Sequence, residues 1–106
     1  MSDNRNLLRV HCYSKAITDN KPGYLRDMTE KGCKITTLVP LSVKKNQTIT
    51  ILLVPEDTLK IGDISIEAEL RWESVKSVYY FYGFLLKSFC DKESEGRYKK
   101  LMALYS

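Results

Sequence analysis

Two short clusters of this 106-residue chain carry side chains suited to recognition chemistry. In Arg5-Asn6-Leu7-Leu8-Arg9, two arginines stand four residues apart. Their guanidinium groups are planar donor forks that match the O6/N7 edge of guanine or a phosphate. Further along, Asp27-Met28-Thr29-Glu30-Lys31-Gly32 gathers a carboxylate, a hydroxyl and a glycine into a polar stretch. A carboxylate suits the other edge of guanine, where N1–H and the exocyclic amine are both donors. The Thr29 hydroxyl and nearby backbone N–H groups could bond base or phosphate. Taken alone, each cluster is ordinary. A basic chain often yields R-x-x-x-R as solvated surface charge, and D-x-[ST]-x-x-G turns commonly just join strands, Gly supplying a positive φ. Together they form a coherent site for an anionic guanine nucleotide, built from Arg5, Arg9, Asp27, Thr29 and Gly32.

Competing chemistries find less support. The chain has no G-x-S-x-G elbow and no phosphate-cradling glycine loop before a helix. His11 is the only histidine and Cys12, Cys33 and Cys90 form no C-x-x-C pair, so neither a zinc site nor a disulfide framework is expected. The expectation is a binding module that is not an enzyme and needs no cofactor. The net charge of +4 leans toward an anionic partner, but the charge is scattered. With no signal-peptide pattern at the N-terminus and no spanning apolar run, the expected location is cytoplasmic.

The elements that would position these residues are short strands. Residues 1–9 read as a polar arm, and strand composition begins at Val10 and runs to Ile17. Thr18 to Gly23 is a turn cluster in which Pro22-Gly23 is the strongest signal. Tyr24 to Asp27 and Cys33 to Leu38 read as strands on either side of the polar stretch, and Leu41 to Gln47 as a basic connection. Thr48 to Val54 is a further strand. Ile64 to Glu73 alternates, with Ile64, Ile66, Ala68, Leu70 and Trp72 assigned to the core. Ser74 to Ser77 is expected to turn the chain into an aromatic strand, Val78 to Phe89, where Gly83 marks a bulge or a barrel corner. Tyr98, Leu101, Met102 and Tyr105 make one apolar stripe of a C-terminal helix over residues 92–105. About six strands with turn-rich links imply an antiparallel sheet closed into a small barrel or sandwich.

With R-x-x-x-R at Arg5–Arg9 followed by D-x-[ST]-x-x-G at Asp27–Gly32, the sequence resembles the PilZ domain family, a bacterial receptor module for cyclic di-GMP. The strand ending in Trp72, the glycine-containing strand Tyr82-Gly83-Phe84-Leu85 and the C-terminal helix extend the resemblance over nearly the whole chain. It implies a mainly β fold, a small six-stranded antiparallel split barrel with a C-terminal α-helix. A single domain is expected, comprising an arm (1–9), a barrel (10–89) and a helix (92–105). The resemblance also implies that Arg5 and Arg9 bind guanine and phosphate from a flexible arm. Asp27 and Thr29 would meet a guanine, and Gly32 would allow the turn beneath it. Thr29 stands where the family usually has serine; it keeps the hydroxyl and adds a methyl group.

The expected function is that of a cyclic di-GMP receptor whose N-terminal arm changes conformation on binding and signals to a separate effector protein. The alternative is a ligand-independent protein-interaction adaptor with a degenerate nucleotide site, using exposed aromatics of Tyr79 to Tyr82. A nucleic-acid-binding barrel ranks last, because Lys and Arg do not gather on the aromatic strand.

Overall fold

The computed structural model describes residues 14–105. Arg5, Arg9 and the expected start of the first strand at Val10 lie outside the described residues. Six strands, β1 (Ser14–Thr18), β2 (Lys21–Met28), β3 (Gly32–Thr37), β4 (Thr48–Pro55), β5 (Ile64–Lys76) and β6 (Tyr79–Phe89), precede one helix, α1 (Lys92–Tyr105). The strands form a closed barrel in the order β1-β2-β3-β6-β5-β4, with every neighbour antiparallel. This is the expected antiparallel barrel with a C-terminal helix.

The period of two explains the interior. Alternate residues of a strand point to opposite faces, and Leu25, Ile35, Ile51, Leu53, Ile64, Ile66, Ala68 and Leu70 all point inward and are buried. Each large aliphatic side chain so placed contributes about 1.5–3 kcal/mol relative to exposure. Leu41 and Val43, in the stretch expected to be a basic connection, are also buried and close one part of the core. The Tyr82 hydroxyl accepts the backbone N–H of Leu41 at 2.9 Å and so anchors that connection.

Three local expectations are corrected. The first hairpin turns at Asp19-Asn20, whose φ values of 55° and 59° fit a tight two-residue turn. Pro22 and Gly23 lie within β2, opposite Ile17 and Ala16. The last hairpin turns at Ser77-Val78, and Ser74 to Lys76 remain in β5. Trp72 is not a core residue. The register of β5 against β6 shifts between Leu70 and Trp72, so Arg71 is an extra residue and the alternation is reset. Arg71 and Trp72 are both exposed, the latter by 46%.

Helix α1 begins where the Asp91 carboxylate accepts the backbone N–H of Ser94 at 2.8 Å, an N-cap bond. This contact with Ser94 holds the Asp91 carboxyl below its usual range. The Ser94 hydroxyl accepts the backbone N–H of Ser65 at 2.9 Å, and Arg97 donates to the Asp63 carbonyl at 2.9 Å. Tyr98 and Leu101 are buried, and the Tyr98 ring meets Phe89 edge-on at 5.5 Å. The helix packs on β5, β2 and β6. No helix among the described residues is long and apolar enough to cross a membrane.

Candidate functional site

Two β-bulges build the outer face on which the predicted residues sit. In β2 the register against β3 shifts between Leu25 and Asp27. The extra residue puts both Arg26 and Asp27 outside before Met28 returns to the core. The second bulge is the one at Arg71 in β5. Between them run β3 and β6, where Lys34 pairs with Gly83. Asp27 pairs with Lys34, and Gly83 with Trp72. One row therefore crosses four strands as Asp27, Lys34, Gly83 and Trp72. At an interstrand spacing of about 4.8 Å it spans roughly 14 Å.

The row floors an open groove of about 420 Å³, also lined by Thr29, Lys31, Gly32 and Arg71. Glycine is required at two of these positions because of close approach. A Cβ on Gly83 would fall inside the Trp72 indole, and one on Gly32 would overlap the Phe84 carbonyl oxygen. The indole thus lies across bare backbone, with much of it left to solvent. Gly32 has no positive φ, so close strand packing, not the conformational freedom expected from the turn, explains this glycine.

The turn from Asp27 to Gly32 uses most of its own polar groups. The Asp27 carboxylate accepts the backbone N–H of Met28 at 2.9 Å. The Thr29 N–H donates to the Gly32 carbonyl at 2.8 Å, and the Thr29 hydroxyl accepts the Lys31 N–H at 3.2 Å. These are the local side-chain bonds that Asp and Thr make in turns. The N–H groups of Met28, Thr29 and Lys31 thus close the turn, so of the backbone N–H groups that could bond a ligand these three are already engaged. From the far end of the chain, the Tyr98 hydroxyl shares its proton between the carbonyls of Thr29 at 2.8 Å and Gly32 at 3.1 Å. Burial pushes the Tyr98 phenol above its ordinary value, and the Cys33 thiol adds to this. The hydroxyl therefore stays protonated and able to donate.

Three cations and one carboxylate give the groove its charge. Arg71 is paired with Glu69 at 3.0 Å, which Lys87 also approaches at 3.7 Å. Lys31 and Lys34 have no ion pair among the described residues and leave an excess of positive charge beside Asp27. Among the described residues there is no group of three or more His, Cys, Asp or Glu placed to hold a metal.

Of the predicted site residues, Asp27, Thr29 and Gly32 are brought together in this groove, while Arg5 and Arg9 lie outside the described residues. Sequence reasoning missed Lys34, the outward Trp72 and the anchoring Tyr98. Trp72 followed by an aromatic strand with a central glycine was the one available signal.

No family model matches the chain, and no curated protein matches it. Solved structures do. The chain shares its fold with MrkH. Two structures of K. pneumonia MrkH, one of the apo state and one of a P2(1) crystal at 2.65 Å, superpose with TM-scores of 0.68 and 0.66. Each is 18% identical over 88% of this chain. The chain spans less than half of either one, 45% and 43%. At that identity the likeness is one of fold.

Proposed function

We propose that the chain is a PilZ-like receptor for cyclic di-GMP that signals to a separate protein. The observation that carries the reading is the row Asp27, Lys34, Gly83 and Trp72, edged by the Asp27–Gly32 turn. It combines a carboxylate for the donor edge of guanine, cations for phosphate and an exposed indole on which a base can stack. The PilZ resemblance of the two motifs and the barrel shared with MrkH support the same reading.

The two arginines enter from the chain's beginning. Ser14 pairs with Leu25, two positions from Asp27 on β2. Arg9 precedes Ser14 by five residues, a contour of at most about 18 Å, so it can reach the groove. In the proposed mechanism Arg5 and Arg9 close over the nucleotide and arm position reports occupancy. Ordering such a segment costs roughly 2–5 kcal/mol of the gross interaction, which weakens binding but makes it switchable.

The test is calorimetric titration of the folded chain with cyclic di-GMP, with GTP as control. Selective saturable binding, weakened by about 1–3 kcal/mol in Arg9→Ala, supports the receptor. Absence of heat from a demonstrably folded protein removes it and leaves the ligand-independent adaptor.

A further inference from the structure

The outer face continues past the nucleotide row. Two positions along β3 and β6, and three along β2 because of its bulge, Tyr24 pairs with Thr36 and Thr36 with Phe81. Here the sheet forms a second groove, of about 660 Å³, whose walls include Tyr24, Leu38, Val39, Tyr79 and Phe81. Leu38, Val39 and Tyr79 are 65%, 43% and 47% exposed. Gly23 contributes bare backbone to it; a Cβ there would stand 2.6 Å from the Thr36 carbonyl oxygen, on the inward side of the sheet with Ile35 and Thr37, so β2 and β3 lie close together beneath the groove. An exposed apolar concavity of this size on a water-facing sheet is a recognition feature.

The charge around it has one sign. Arg26 lines the groove, Lys15 pairs across β1–β2 with Tyr24, and Lys76 pairs across β5–β6 with Tyr79. No Asp or Glu lines it, and these three cations have no ion pair among the described residues. We infer that this groove docks an acidic segment of a partner protein whose leucine or phenylalanine side chains fill the recess while its carboxylates meet Lys15, Arg26 and Lys76.

Three features select this occupant. A second copy placed by two-fold symmetry would set the three cations of each chain against those of the other, which complementary interfaces avoid. A bilayer is entered by protruding apolar tips, whereas here the apolar surface surrounds a hollow. The groove lies on the outer face of the sheet and is lined by no residue of β5, the strand whose edge beyond Leu70 pairs with β6 alone, so a partner seated in it is read through side chains and not by strand addition. The inference does not depend on nucleotide binding.

The experiment uses two labelled synthetic peptides, one alternating leucine and phenylalanine with aspartate, the other with lysine replacing aspartate. Binding is read by fluorescence polarisation and located by amide chemical shifts. The acidic peptide is expected to bind the wild-type chain, to shift Leu38, Tyr79 and Phe81, and to lose about tenfold or more in affinity to the Lys15→Glu/Lys76→Glu variant. Leu38→Ser/Val39→Ser, which removes apolar walls without touching charge, is expected to weaken it as well. Equal affinity for both peptides, no binding of the acidic one, or shifts confined to other faces would overturn the proposal. So would self-association of the wild-type chain that the charge-reversed variant leaves intact, or sedimentation with anionic lipid vesicles. A cyclic di-GMP titration of the same charge-reversed variant reads the nucleotide site separately, so the two proposals fail independently.

Discussion

The Tyr98 hydroxyl lies 2.8 Å from the carbonyl oxygen of Thr29, 69 positions earlier in the chain. With its 3.1 Å approach to the Gly32 carbonyl, it ties the C-terminal helix to both ends of the turn that edges the groove. Tyr98→Phe keeps the ring against Phe89 and deletes only this tie. We expect a stability loss of about 1–2 kcal/mol, read from the urea midpoint. Faster hydrogen exchange at the Lys31 and Gly32 amides should accompany it. A loss of stability with unchanged exchange in the turn would mean that the hydroxyl acts elsewhere.

Trp72 should behave as a ligand contact and not as part of the core. Because 46% of it is exposed, Trp72→Ala should change the unfolding midpoint little. If a base stacks there, nucleotide affinity falls by about 1–3 kcal/mol. Unfolding and titration of one preparation distinguish this outcome from a structural role.

Gly83→Ala is the reciprocal test. The added methyl group cannot coexist with the indole in place, so Trp72 must swing away. Tryptophan emission should shift, since Trp72 is the single tryptophan. Nucleotide binding should fall as far as in Trp72→Ala. An unchanged emission spectrum would show that the indole does not rest on this backbone.

Alkaline pH should destabilise the fold. Burial pushes the Cys33 thiol from its ordinary 9.0 up to about 12, and the Tyr98 phenol is raised as well. Groups with raised folded-state values keep their protons while the unfolded chain releases them. Their contribution is therefore intact below about pH 9 and is lost as pH rises through the folded values. The slope is about 1.4 kcal/mol per pH unit for each group that titrates only in the unfolded chain. Urea midpoints from about pH 8 to about pH 11 should fall, and Cys33→Ala should flatten the decline. A flat wild-type profile would contradict this.

The barrel was legible because Ile64 to Leu70 and the core positions of β3 and β4 follow a strict period of two. The row over the barrel was not, for reasons that lie in particular residues. An inserted residue reverses every later facing, and Arg71 is not a type that announces a bulge, so Trp72 was assigned inward. Pro22-Gly23 carried the stronger turn signal, yet Asp19-Asn20 can take positive φ while Gly23 is needed beside the Thr36 carbonyl. Asp27, Thr29 and Gly32 were found because their spacing is local. Tyr98 was seen only as part of an apolar stripe, since no pattern along the chain shows what a buried hydroxyl bonds to far away. Leu41 and Val43 were masked by the lysines that follow them.

The order of strands round the barrel has a consequence for the timing of function. The groove needs β2, β3, β5 and β6 side by side, yet β6 is the last strand to be synthesised and pairs with β3 across the intervening β4 and β5. A growing chain exposes Asp27, Thr29 and Gly32 long before Gly83 exists to complete the row, and Tyr98 comes later still. Nascent and prematurely terminated chains therefore carry the Asp27–Gly32 turn without its floor or its anchor. The row is therefore assembled only once β6 has paired with β3, and a ligand that reads all four of its residues would select chains that have reached that point.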